Sequence, residues 1–158
     1  MRVSESFELH PGADALLAWI GEHFGVPLAV FAGHRVWRKI PSATLWIAAA
    51  GVEPVAGLPY EVVGIRLQRN DASFGQVSNA FVRRFLNGAT RHVLDLDGDA
   101  LERFLVGDPG ALEPAPRNGY YVVRAAGEAL GRGRVHDGVL HSELPKEERR
   151  SARAAAAG

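Results

Sequence analysis

Apolar residues along this chain recur at two alternating periods, and the switches between them outline its elements. Leu16, Leu17, Ile20 and Phe24 fall at helical spacing, which predicts a helix over residues 13–24 stopped by Gly25 and Pro27. Short apolar runs follow. They predict strands at Val30-Phe31, His34–Arg38 and Leu45–Ala48, with Lys39–Ser42 as a turn and the Gly/Pro/Ala-rich stretch Gly51–Pro59 as a connection. From Glu61 to Arg69 the residues alternate: Val63, Ile65 and Leu67 share one face of a strand, and Arg66 and Gln68 share the other. Helical spacing returns over Gln76–Leu86, with Val77, Ala80, Phe81, Phe85 and Leu86 inward, Arg83 and Arg84 outward, and Gly88 closing the helix. A strand at His92–Leu96 then leads into a short helix over Asp97–Val106, capped by Asp97 or Asp99, with Leu101, Phe104 and Leu105 on its apolar side. Gly107–Pro116 reads as a loop.

The last third has a different punctuation. Gly119-Tyr120-Tyr121-Val122-Val123, Leu130-Gly131-Arg132-Gly133-Arg134-Val135 and Gly138-Val139-Leu140 predict three strands joined by tight glycine turns. The expected partition is an α/β part over residues 1–88, a β-rich barrel over 89–150, and an alanine-rich tail over 151–158 that is a frayed helix or flexible. Asn87-Gly88-Ala89 is too short for a flexible linker, so the two parts should pack rigidly. The expected class is α+β.

Composition adds exclusions. With 158 residues and 47% apolar content the chain can bury a sizeable core, and no apolar run approaches the ~20 residues that span a bilayer. The start, Met1 to Ser6, lacks the apolar stretch of a secretory signal, and there is no cysteine for disulfides or thiolate zinc sites. A cytoplasmic protein with no membrane partner is expected. The net charge of zero conceals an asymmetry, with a balance of −3 over residues 1–33 and +3 over residues 117–158. A neutral total therefore leaves room for a local polyanion-binding face.

The order of motifs resembles a known family. Val93-Leu94-Asp95-Leu96 followed by Ala100–Asp108 resembles the strand–helix opening of a PUA-type RNA-binding domain, and Gly119–Val123 with Leu130–Arg134 resembles its glycine-rich strands. Gly138–Lys146 is similar to the ending of the C-terminal domain in Sun-type rRNA 5-methylcytosine methyltransferases, and Phe74–Phe81 to the helix that precedes that domain. An α/β pre-PUA part followed by a PUA-like small β-barrel also resembles a ribosome-biogenesis factor of archaea and eukaryotes. The chain departs from the methyltransferase pattern at His141-Ser142, where Lys-Asn is common. It also lacks a catalytic cysteine and a Gly-rich cofactor loop between strand and helix. The resemblance thus implies the RNA-gripping appendage without the enzyme.

The candidate RNA-binding residues are Arg83, Arg84, Arg117, Arg132, Arg134, Lys146, Arg149 and Arg150. Arg132 and Arg134 should share a face, since strand side chains repeat every second residue. Gly131 and Gly133 either let a phosphate reach the main chain or relieve crowding where a barrel strand bends. Tyr120, Tyr121 and Trp37 are candidates for stacking on unpaired bases, although adjacent Tyr120 and Tyr121 point oppositely and one belongs to the core. The six histidines show no ligand spacing, Asp95, Asp97 and Asp99 lack the rest of a calcium loop, and there is no Gly-x-Ser-x-Gly elbow. No cofactor, no metal and no enzymatic activity are expected. The function expected is non-catalytic binding of structured rRNA or tRNA, in ribosome biogenesis or RNA modification. The alternative is a protein–protein adaptor or a detached accessory domain, partnered by an rRNA methyltransferase or an assembly factor.

Overall fold

The structure, a computed structural model, describes residues 6–55 and 62–150. Helix α1 (Ala13–Phe24) has the predicted bounds, buries Leu16, Leu17, Ile20 and Phe24, and ends at a left-handed Gly25 whose N–H bonds the Gly21 carbonyl. Leu28–Phe31 then forms a turn of 3-10 helix where a strand was expected at Val30-Phe31. Two adjacent apolar residues carry no period that separates one from the other.

Strands β1 (Phe7–Leu9), β2 (His34–Lys39), β3 (Leu45–Ala49) and β4 (Ile65–Gln68) form an antiparallel sheet in sequence order. Val36, Leu45, Ile47 and Leu67 contribute to the larger core, with α1 and the helix that follows β4. Phe7, Trp37, Ala48 and Val63 form a separate small cluster. Val63 therefore does not share a face with Ile65 and Leu67, as the alternation predicted. Gly64, at φ +67, turns the chain between them, and the strand begins only at Ile65. Glu61 and Ala56–Pro59 of the expected connection lie outside the described residues, as does the tail at 151–158.

Helix α2 (Asn79–Phe85) starts later than the expected Gln76 because Ser78 caps it, its Oγ accepting the Phe81 N–H at 3.0 Å. Val77, Phe81, Phe85 and Leu86 are buried as expected, and Val82 joins them. Ala80 is exposed instead, and the helix ends at Leu86, two residues before Gly88.

The second sheet runs β5–β7–β8–β9–β6, built from β5 (Val93–Asp95), β6 (Gly110–Ala111), β7 (Gly119–Ala125), β8 (Glu128–His136) and β9 (Val139–Ser142). It curls into a half-barrel, with β5 parallel to β7 and the other pairings antiparallel. The small strand β6 lies inside the stretch expected to be only loop. Helix α3 (Gly98–Val106) sets Phe104 into a core of Leu96, Tyr121, Val123, Val135, Leu140 and Leu144. Neither aspartate caps α3 as expected: Asp97 stands at the cap position without a side-chain bond, and Asp99 turns to Arg103.

The two sheets meet along α2 and β8. The Asn79 side chain accepts the Arg132 N–H at 2.7 Å and donates to the Glu143 carbonyl at 2.9 Å. Val122 of β7 is wholly buried in the larger core, beside residues of the first sheet and both of its helices. Among the described residues, no helix is long and apolar enough to cross a membrane.

Candidate nucleic-acid interface

Where β4, α2 and β8 come together they leave a cleft of about 490 Å³, and four arginines line it: Arg66, Arg69, Arg83 and Arg132. They reach it from three parts of the chain. Arg66 points outward from β4, the strand whose neighbours Ile65 and Leu67 bury in the opposite direction. Arg69 follows directly. Arg83 projects from the exposed side of α2, and Arg132 from the middle of β8.

Arg132 is the most constrained of the four. Its side chain is only 20% exposed. Nη1 donates to the Val77 carbonyl at 3.1 Å, and the guanidinium lies 5.1 Å from the centre of the Tyr120 ring, within cation–π range. Its Nε has no hydrogen-bond partner among the described residues, and the Glu143 carboxylate stands 3.9 Å from Nη2, beyond hydrogen-bond distance. Burial draws the pKa of this guanidinium down, Glu143 and Tyr120 oppose that, and nearby Arg66 adds to it. The group nevertheless stays charged. It is a largely desolvated cation whose neutralisation is incomplete, which an incoming phosphate would complete by charge-assisted hydrogen bonds.

Arg83 is already occupied. It forms a two-pronged pair with Glu148 at 3.1 and 2.8 Å and donates through Nε to the Leu130 carbonyl at 2.7 Å. That pairing holds the Glu148 carboxyl below its ordinary pKa. Arg66 and Arg69 are exposed and have no carboxylate partner among the described residues. They supply the uncommitted charge of the cleft.

Of the eight residues expected to bind RNA, Arg83 and Arg132 line this cleft, and Arg134 joins them through Glu143, whose Oε1 is 3.6 Å from its Nε. Arg132 and Arg134 thus share a face and also share a carboxylate. The rest are elsewhere. Arg149 donates to the Leu144 and Ser142 carbonyls at 2.9 and 3.2 Å, a bracing role. Arg150 faces Glu102 of α3 at 3.9 Å, and Arg84 lies over Phe85 at 5.4 Å. Arg117 is exposed before β7, its carbonyl accepting the Tyr121 hydroxyl, and Lys146 opens a short 3-10 turn at Lys146–Glu148. Glu143, Glu148, Glu102 and main-chain carbonyls thus engage several of the eight residues.

Gly131 and Gly133 are likewise settled by packing. A Cβ on Gly131 would sit 2.5 Å from Asn79 Oδ1 and 2.7 Å from Leu144, and one on Gly133 would sit 2.7 Å from Leu140 and 2.8 Å from Val123. Both positions are buried, so they admit neighbouring side chains and not a phosphate. Trp37 is fully buried and unavailable for stacking. Tyr121 is the core member of its pair, and Tyr120 lies beneath Arg132. Arg35 and Arg38 are paired with Glu53 and Glu8. Arg66 and Arg69, which line the cleft, are not among the eight expected residues, although the alternation of β4 already placed Arg66 on a polar face.

A second hollow, of about 300 Å³, lies between α3, β6 and β9. It contains Arg103 with Asp99 and Asp108, and Arg103 donates to Asp99 at 2.9 Å. Its acidic excess disfavours a polyanion. Among the described residues no group of three His, Asp or Glu side chains is placed to hold a metal ion.

Residues 91–150 match the family model described as the Methyltransferase RsmF PUA domain, well under half of the chain. No curated protein matches it. Domains of that kind bind RNA and do not catalyse, and the match leaves residues 1–90 unassigned. Its span covers the half-barrel from β5 to β9 together with α3, so this part of the chain is similar to the PUA-like domain of Sun-type rRNA methyltransferases.

Proposed function

We propose that this protein is a non-catalytic RNA-binding factor that grips structured rRNA or tRNA in the cleft between β4, α2 and β8. The cytoplasm and a role in ribosome biogenesis or RNA modification are the setting this reading implies. One observation carries it: Arg132 sits desolvated and incompletely neutralised at the back of a cleft whose rim holds the unpaired Arg66 and Arg69. A buried cation is costly unless paired, and a phosphate supplies two charged oxygens that the planar guanidinium fork can bind side by side. The remaining basic residues, including Arg134 and the exposed Arg84, Arg117, Lys146 and Arg150, would contribute longer-range attraction. RNA binding should displace Glu148 from Arg83 or leave that pair at the cleft edge.

Filter binding over a salt series tests this. Arg66→Glu with Arg69→Glu should weaken binding of a ribosomal RNA hairpin at least about tenfold and lower the salt slope by about two. Equal affinity and slope for variant and parent would remove the cleft from the interface. A second reading, a protein adaptor, is favoured by the exposed Val52, Val55 and Val62 beside the β3–β4 connection. A stoichiometric protein partner that survives nuclease and high salt would support it.

A further inference from the structure

Gly75 lies between the arginine cleft and a row of rings on the far side of it. A Cβ there would be 3.7 Å from both the Tyr120 side chain, which underlies Arg132, and His23 Nε2. From that point His23 stacks on His92 at 3.9 Å and on Trp19 at 4.6 Å, both nearly parallel, and Phe74 tilts against Trp19 at 5.1 Å. Two adjoining hollows share Trp19. One, of about 300 Å³, is polar and holds Glu22, His23, Arg91 and His92. The other, of about 330 Å³, is mainly apolar, with Ala15, Leu16 and Phe74 on its walls and Asp71 at its side.

These parts are fixed in place. The Thr90 and Arg91 N–H groups both bond the Phe24 carbonyl at the end of α1, Arg91 Nη1 reaches the Glu22 carbonyl at 3.2 Å, and His92 Nδ1 lies 2.8 Å from the His23 carbonyl. The α1 C-terminus thereby holds a cation beside the ring row. Arg91 has no carboxylate partner among the described residues, and Phe74 is 57% exposed, a large ring turned to solvent.

We propose that the two hollows together hold one unpaired nucleotide of the RNA strand leaving the arginine cleft. This rests on the RNA-binding reading above and names the form of RNA recognised: a helix with a single-stranded extension. The base lies against Phe74 and Trp19 in the apolar hollow, where every base offers a face for aromatic contact. Asp71, whose Oδ1 stands 2.7 Å from His10 Nε2, repels a phosphate there and accepts a hydrogen bond from an exocyclic amine through its other carboxylate oxygen. The phosphate lies in the polar hollow on Arg91 and the imidazole edges. Glu22 in the same hollow accepts a hydrogen bond from the ribose 2′-hydroxyl, a group DNA lacks. Charge thus orients the nucleotide: the lining of the apolar hollow holds Asp71 and no cation, and the guanidinium of Arg91 lies in the other hollow.

The test uses the full chain and fluorescence anisotropy with two labelled RNA probes, a blunt GC-rich hairpin and the same hairpin with a short unpaired extension. The parent should bind the extended probe about tenfold more tightly. Phe74→Ser and Arg91→Gln, both exposed positions, should each abolish that gain and leave affinity for the blunt hairpin unchanged. A deoxyribose extension should give a smaller gain. A gain that persists in both variants overturns the proposal, as does a parent that binds the two probes equally. Failure to bind either probe instead overturns the RNA-binding reading on which it rests.

Discussion

The cleft beside α2 and the hollow beside α3 are both built against the half-barrel, and both contain arginine, yet they differ in charge. In the α3 hollow one arginine is answered by Asp99 and Asp108, and Asp99 bonding raises the Arg103 pKa. In the α2 cleft four arginines face the one carboxylate that lines it, Glu148, and that is spent on Arg83. Counting basic residues along the chain would not separate the two. The charge left after internal pairing does, because a surface ion pair already made offers little field to a ligand.

The largest expected effect lies in that contrast. Reversing Arg66 and Arg69 together should cost at least about tenfold in RNA affinity, whereas Arg103→Glu should change it less than about twofold; comparable losses at both places would erase the distinction. The glycines of β8 sharpen it further. Gly131→Ala crowds Asn79 at the cleft, and Gly133→Ala crowds Leu140 and Val123 on the α3 side. Each should destabilise by about 1–3 kcal/mol, seen as a lower Tm, but only the first should also weaken RNA binding among folded molecules. Next in size, Glu143→Gln removes the carboxylate that Arg132 and Arg134 share and should tighten binding a few-fold, with a steeper salt dependence. An unchanged affinity would mean that neither arginine meets a phosphate.

The smallest effect concerns pH. Burial first, and His92 second, hold the His23 pKa below its ordinary 6.5. The unfolded chain therefore takes up this proton at a higher pH than the folded one. The stability from keeping His23 neutral is full above about pH 6.5 and declines as pH falls through that value. Replacing His23 with Gln should flatten the fall in Tm between about pH 7 and pH 5. The arginine cleft holds no histidine, so its salt-dependent affinity should show no matching step.

Much of the architecture was legible because period and punctuation agreed. Helix α1 kept its predicted bounds, with a full apolar stripe and Gly25 to stop it, and the three glycine-joined strands formed β7, β8 and β9. Where the local signal was thin the reading failed. Val30-Phe31 offered too few residues for any period, and the reversal at Gly64 moved Val63 to another cluster without changing the alternation on the page. The binding face was harder to see for a deeper reason. Arg66 and Arg132 come from different sheets, and only the docking of α2 on β8 brings them together. The carboxylates that engage Arg83, Arg134 and Arg150 are also partners in space, and a linear tally of charge counted them as spectators.

Val122 has a consequence for anyone who would cut this protein apart. It belongs to a strand of the half-barrel, yet its side chain completes the core of the neighbouring sheet and helices. A fragment trimmed to residues 91–150 would carry that valine, with Val93 and Ala129 beside it, into water. The excised piece would acquire a sticky flank absent from the parent, and its self-association would be an artefact of the scissors.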